Sequence, residues 1–107
     1  MKDEVFKLAE RIFDRYEGEI KVEEDRVFIH ARNNFDEEHF IETECSVHMQ
    51  YSEEYPIAID CWEKTYTLRG GCGCPCRDLK ELEMELTKVL ESFRFVKKRQ
   101  MSLFDED

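Results

Sequence analysis

The fold is decided by residues 40–61, which read FIETECSVHMQYSEEYPIAIDC. Apolar and polar residues alternate on both sides of the polar turn at residues 52–54, which is the period of a strand with one buried face. A hairpin centred on Glu53 brings every apolar residue of one strand opposite an apolar residue of the other. The predicted pairs are Tyr51 with Tyr55, Met49 with Ile57, Val47 with Ile59 and Cys45 with Cys61.

The same alternation predicts a second hairpin upstream. Ile20 and Val22 precede a charged turn at residues 24–25, and Val27 and Ile29 follow it on one face. Apolar residues at helical spacing predict one helix before the strands, from about residue 3 to 16, and one after them, from 78 to about 99. Residues 69–76 are rich in glycine and predict a loop. The element order is therefore αββββα.

This order implies an α+β fold in two layers, with a four-stranded antiparallel sheet and two helices packed on its apolar face. The 107 residues leave room for one domain. We expect that domain to occupy residues 1–99 and a flexible acidic tail to occupy residues 100–107.

The charge balance narrows the class of partner. Sixteen Lys and Arg residues against 26 Asp and Glu residues give a formal charge of −10, which repels phosphate. Direct nucleic-acid binding is therefore not expected. The charged residues 1–5 do not resemble a secretory signal, and no segment approaches a membrane span. We expect a cytoplasmic protein with no membrane partner.

One short motif stands out in the tail: Gln100-Met101-Ser102-Leu103-Phe104. It resembles the bacterial sliding-clamp-binding motif, whose usual form is Gln, then Leu or Met, then Ser or Asp, then Leu-Phe. The resemblance covers five residues and implies no fold. It implies that the glutamine amide lies at the rim of a pocket on the clamp, while Met101, Leu103 and Phe104 fill an apolar groove as an extended peptide.

A helical alternative exists for the same residues. The apolar stripe of the last helix runs through Phe93 and Val96, and Leu103 lies seven positions further on, so the stripe could continue. Gln100 interrupts the stripe, however, and residues 97–99 are the cations favoured in a last helical turn. We therefore expect the helix to end near Arg99.

Three thiols, Cys72, Cys74 and Cys76, occupy alternate positions in the glycine-rich segment. If Gly71 and Gly73 let a loop curl, the thiolates could converge on one metal ion, with zinc as the first expectation. The spacing matches structural zinc sites poorly, and a fourth ligand is unassigned. The alternatives are an inert or oxidation-prone loop and a reactive thiolate, Cys74 or Cys76, near the helix N-terminus.

The remaining cysteines and the histidines suggest no chemistry. Cys45 and Cys61 face each other in the predicted core as buried thiols, and an odd total of five cysteines argues against a fully paired framework. His30 and His48 fall on the solvent face, and His39 adds no metal-binding spacing. No Ser-His-Asp, Walker or dinucleotide pattern is present, so no catalytic residue is assigned.

These observations predict a small intracellular bacterial or phage adaptor or inhibitor that binds the DNA-replication sliding clamp through residues 100–104. The first alternative is an acidic nucleic-acid mimic, similar to anti-CRISPR and other small phage inhibitors, that occupies the basic groove of another nucleic-acid-binding protein. The second alternative is a metal-binding or thiol protein that acts through the cysteines of residues 72–76.

Overall fold

Two helices and five strands make up the part of the chain that the structure, a computed structural model, describes: residues 1–34, 40–64, 69–93 and 95–98. The strands form one antiparallel sheet in the order β1-β2-β3-β4-β5. The α+β class is therefore confirmed. The elements are α1 (Lys2–Phe13), β1 (Glu19–Val22), β2 (Arg26–Asn34), β3 (Phe40–Met49), β4 (Ile57–Lys64), β5 (Arg69–Cys76) and α2 (Leu79–Ser92).

The hairpin registers follow the alternation of the sequence. In β3 and β4, Cys45 pairs with Cys61, and Met49 pairs with Ile57, as predicted. The predicted Tyr51–Tyr55 pair lies beyond the ladder, which ends at Met49 and Ile57. The predicted first hairpin is also present. Its apolar pairs are Ile20 with Ile29 and Val22 with Val27.

The sheet has five strands rather than the predicted four, because residues 69–76 form β5 instead of a loop. Glycine lowers strand propensity, and proline removes a ladder donor, so the segment lacks the usual sequence signature of a strand. β5 nevertheless pairs with β4 along its whole length, with Cys72 opposite Cys61 and Pro75 opposite Ala58. As β5 is an edge strand of the described sheet, Pro75 is tolerated there.

Both helices pack on one face of the sheet. α1 contacts β1, β2 and β3, whereas α2 contacts β4 and β5. The helix faces are amphipathic, and their apolar sides meet the inward-facing side chains of the strands. The helix residues buried in this core are Val5, Phe6, Ala9, Ile12, Phe13, Leu82, Leu86 and Leu90. No helix among the described residues is long and apolar enough to span a membrane.

α2 begins as the sequence predicts but ends early. The Asp78 carboxylate accepts a hydrogen bond from the backbone N–H of Glu81 at 2.8 Å, which satisfies a free donor of the first turn. The helix ends at Ser92, so the predicted end near Arg99 is wrong. Likewise, α1 ends at Phe13 rather than at Tyr16.

The chain after α2 is held by residues that follow α1. Glu17 donates a backbone hydrogen bond to the carbonyl of Val96 at 2.7 Å, and Lys98 donates one to the carbonyl of Arg15 at 2.8 Å. Phe95 is buried in the core. Burial of Phe95 and this extended backbone pairing outweigh the helical periodicity of the segment, since tertiary contacts override local propensity.

Gly18, which follows α1, has a positive φ of 150°. A Cβ at this position would lie 2.8 Å from the Ile29 side chain and 3.0 Å from the His30 carbonyl oxygen. The turn from α1 into β1 therefore requires glycine for both its conformation and its lack of a side chain.

We expect Gly18→Ala to destabilise the protein by roughly 1–3 kcal/mol, because alanine adds backbone strain and a steric contact. Gly70→Ala is the matched control, since a Cβ at Gly70 has no atom within 4 Å. Urea denaturation of the two variants measures the difference. Equal stability of the two variants would show that the Gly18 turn relaxes freely.

Candidate functional site

The clamp-binding motif, Gln100 to Phe104, lies outside the described residues. The segment that leads to it is well defined: Phe95 is buried and the Lys98 backbone is bonded to Arg15. The helical alternative needed the stripe of α2 to continue through Val96. That side chain is 46% exposed, and its carbonyl accepts a hydrogen bond from Glu17 outside any helix. The continuous-helix alternative is therefore wrong for residues 93 and 95–98.

All five cysteines lie on the core side of the sheet. In the β4–β5 register, Cys72 is opposite Cys61, and Cys74 and Cys76 are opposite the core residues Ile59 and Ile57. Their exposure falls along β5, since Cys72 is exposed, Cys74 is half-buried and Cys76 is fully buried. Sequence reasoning missed this arrangement because it treated residues 69–76 as a loop. The alternate spacing of the three cysteines was the available signal of a strand.

The extended conformation of β5 separates the predicted zinc ligands. Alternate residues of a strand lie about 6.6 Å apart, whereas thiolates on one zinc ion lie about 2.3 Å from the metal. Within the described residues, no group of three or more His, Cys, Asp or Glu side chains could hold a metal ion. Zinc binding by Cys72, Cys74 and Cys76 stays a prediction, and it requires β5 to change conformation.

The thiols favour their protonated form. Burial raises the pKa of Cys76 to about 12, and the neighbouring Cys74 adds to this effect. Burial also raises the pKa of Cys74, as does the Glu85 carboxylate, whose Oε1 atom lies 3.7 Å from the Cys74 sulfur. Desolvation thus outweighs the dipole of α2, which would favour thiolate. The reactive-thiolate alternative for Cys74 and Cys76 gains no support.

The opposite face of the sheet carries polar side chains that bond across strands. His30 lies 3.2 Å from the Glu42 carboxylate, and His48 contacts the Asp60 carboxylate. Trp62 donates its indole N–H to Glu44 at 3.2 Å. The predicted solvent-facing position of the two histidines is confirmed, because both side chains are about one-third exposed.

This face carries charges of both signs. The Arg26 guanidinium stacks 4.3 Å from the centre of the Phe28 ring and lies 3.7 Å from the Glu44 carboxylate. A shallow depression of about 450 Å³ lies over this network and includes Ser46 and Asp60. The described side chains around the depression therefore combine both charges and do not form a surface of one sign.

No family model, curated protein or solved structure matches the chain.

The raised pKa of Cys76 predicts a loss of stability at alkaline pH. The folded-state pKa of about 12 exceeds the ordinary value of 9.0, so the stabilising contribution is complete below pH 9 and is lost as the pH rises towards 12. The slope approaches roughly 1.4 kcal/mol for each pH unit between these values. We expect Cys76→Ala to remove this component.

Urea denaturation between pH 7 and 11 measures this effect, with Cys72→Ala as the control for an exposed thiol of the same strand. Cys76→Ala should start less stable at pH 7, because a buried side chain is shortened. Its stability should then decline less steeply with pH than that of the wild type. Parallel pH profiles for the wild type and Cys76→Ala would contradict the assignment.

Proposed function

We propose that this chain is a small adaptor or inhibitor that binds the bacterial sliding clamp through Gln100, Met101, Ser102, Leu103 and Phe104. The observation that carries the proposal is the motif itself, which combines an amide with three large apolar side chains in five residues. Met101, Leu103 and Phe104 provide the anchors, because buried apolar side chains dominate the affinity of short peptides.

The described residues support the proposal by anchoring the chain just before the motif. Lys98 is bonded to the backbone of Arg15, and Gln100 follows only two residues later. Two extended residues span at most about 7 Å. A clamp bound at Gln100 would therefore lie close to the end of the domain where residues 15–17 meet residues 96–98.

The energetics suit a weak or moderate interaction. Burial of a Leu, Met or Phe side chain contributes about 1.5–3 kcal/mol, and ordering the backbone costs about 1–2 kcal/mol for each residue. Three such side chains gain about 4.5–9 kcal/mol and five ordered residues cost about 5–10 kcal/mol, so the five residues alone are expected to bind weakly. Tighter binding would require contacts from the folded domain.

We expect the double substitution Leu103→Ala and Phe104→Ala to abolish measurable clamp binding, since each lost anchor costs on the order of 2 kcal/mol. Titration calorimetry with a purified bacterial clamp measures the affinity, and thermal denaturation shows that folding is unchanged. Met84→Ala is the matched control, because it removes an exposed apolar side chain of the domain. Equal affinities of wild type and double variant would end the proposal.

The acidic-mimic alternative draws on the formal charge of −10. A charge mimic binds a basic groove through long-range attraction, whereas an apolar peptide does not. The sheet face opposite the helices carries charges of both signs, with Arg26 beside Glu44, so this face does not give the mimic a purely acidic surface. Clamp binding through residues 100–104 is therefore the better-supported proposal.

Salt dependence distinguishes the two functions. Raising the salt from about 0.1 M to 1 M shortens the Debye length from about 10 Å to 3 Å and suppresses charge attraction. We expect the clamp affinity to change little over this range, because the anchors are apolar. A steep loss of affinity with salt, measured by the same calorimetry, would favour the mimic.

A further inference from the structure

Three cysteines from three neighbouring strands form a row across the core face of the sheet. Cys45 of β3 is the register partner of Cys61 in β4, and Cys61 is in turn the partner of Cys72 in β5. All three are free thiols. This cysteine row (Cys45, Cys61 and Cys72) leads from the fully buried Cys45, through the 3%-exposed Cys61, to the exposed Cys72 at the sheet edge.

The hydrogen-bond pattern defines the geometry of the two pairs. Gln50 donates a backbone hydrogen bond to the Pro56 carbonyl at 2.9 Å, immediately beyond the β3–β4 ladder. Hydrogen-bonded and non-hydrogen-bonded pairs alternate along an antiparallel ladder. Gln50 and Pro56 form a hydrogen-bonded pair, and Cys45–Cys61 lies five pairs further along the ladder. The Cys45–Cys61 pair is therefore non-hydrogen-bonded. The Cys61 backbone groups therefore point towards β5, which makes Cys61–Cys72 a hydrogen-bonded pair.

A second observation agrees with this assignment. A Cβ built on Gly71 would lie 2.7 Å from the Cys61 carbonyl oxygen, so this carbonyl does point towards β5. Non-hydrogen-bonded partners have Cα atoms about 4.5 Å apart and hydrogen-bonded partners about 5.5 Å apart. Disulfides span Cα separations of about 4.4–6.8 Å. The Cα separation of either pair is therefore within the disulfide range. Opposed Cβ atoms lie about 4.5–5.5 Å apart and are closer in non-hydrogen-bonded pairs, which favours the Cys45–Cys61 bridge over the Cys61–Cys72 bridge.

The contacts in the row also suit exchange between the two pairs. Cys45 and Cys61 are direct register partners, so their side chains leave the same face of the sheet side by side. In thiol–disulfide exchange, the attacking, central and leaving sulfur atoms lie nearly in line. Cys61 is the central member of a straight cross-strand row, with Cys45 on one side and Cys72 on the other, which is the order that such an exchange requires.

We propose that the cysteine row is a thiol–disulfide relay, in which a low-molecular-weight disulfide of the glutathione class reacts at Cys72 and the disulfide then moves inward to Cys45–Cys61. The exposed thiol is the point of attack because the other two are shielded from solvent. The relay is independent of clamp binding, since it uses none of residues 100–104.

The reaction proceeds in three exchanges. Cys72 sulfur attacks the glutathione disulfide, forms a mixed disulfide and releases one glutathione thiol. Cys61 sulfur then attacks the Cys72 sulfur and releases the second glutathione thiol. Finally, Cys45 sulfur attacks the Cys61 sulfur, and Cys72 leaves as a thiol. Each attacking thiol loses a proton that a leaving thiolate takes up, so two protein thiols are oxidised as one glutathione disulfide is reduced to two thiols.

The relay is tested on the full chain in oxidised and reduced glutathione buffers, with peptide mass mapping under non-reducing conditions over time. The expected final product is the Cys45–Cys61 disulfide. Cys72→Ser should slow its formation by about tenfold or more, because the exposed relay thiol is removed. Cys45→Ser should instead accumulate the Cys61–Cys72 disulfide.

Cys74→Ser is the matched control, because Cys74 lies on the same strand and face but opposite Ile59, outside the row. It should leave the rate unchanged. Cys45→Ala gives a second variant that traps Cys61–Cys72 if serine is not accepted in the core, and circular dichroism confirms folding. Equal rates in wild type and Cys72→Ser, a bridge from Cys72 to Cys74 or Cys76, or no protein disulfide would overturn the relay.

Discussion

The rest of the structure depends on the burial of one face of the β3–β4 hairpin. The pairs from Met49–Ile57 to Cys45–Cys61 place apolar side chains together on the face that the helices cover. Slipping the register by one residue would turn the apolar set of one strand to solvent. At about 1.5–3 kcal/mol for each apolar side chain exposed, this loss would be comparable to the net stability of a domain, about 5–15 kcal/mol. The hairpin therefore has one acceptable register.

The neighbouring strands extend that register in both directions. β2 adds Val27 opposite Val47, and β5 adds Cys76 opposite Ile57, so the core face continues across the sheet. The five cysteines share this face because their positions match its parity on three strands. Burial keeps the pKa of the Cys45, Cys74 and Cys76 thiols raised, which makes them small apolar side chains in the resting protein. What distinguishes the cysteine row is that its three thiols lie side by side, not that any one thiol is activated.

The end of α2 connects the fold to the proposed function. Phe95 enters the core, and the backbone of residues 96–98 pairs with residues 15–17. These contacts hold the chain against the end of α1 immediately before the motif of residues 100–104. The domain would then act as a compact body beside any clamp bound there, which is the arrangement expected of an adaptor or an inhibitor that blocks access to a neighbouring surface.

Strict alternation determined the two hairpins, the register of the β3–β4 pair and the face that is buried, because the two-residue period of a strand leaves one solution once one face is apolar. Helical spacing likewise determined where α1 and α2 begin, although not where they end. The motif at residues 100–104 can be identified from the sequence alone, because a short peptide motif needs no fold to be recognised. Local pattern failed at β5, where Gly71, Gly73 and Pro75 disfavour a strand and only pairing with β4 supplies the missing stabilisation. It failed again at the end of α2, where burial of Phe95 and bonding to residues 15–17 replace further helical turns. The tertiary structure alone brought Cys72 beside Cys61, because their contact joins residues that are distant in the chain through a strand that the sequence does not reveal.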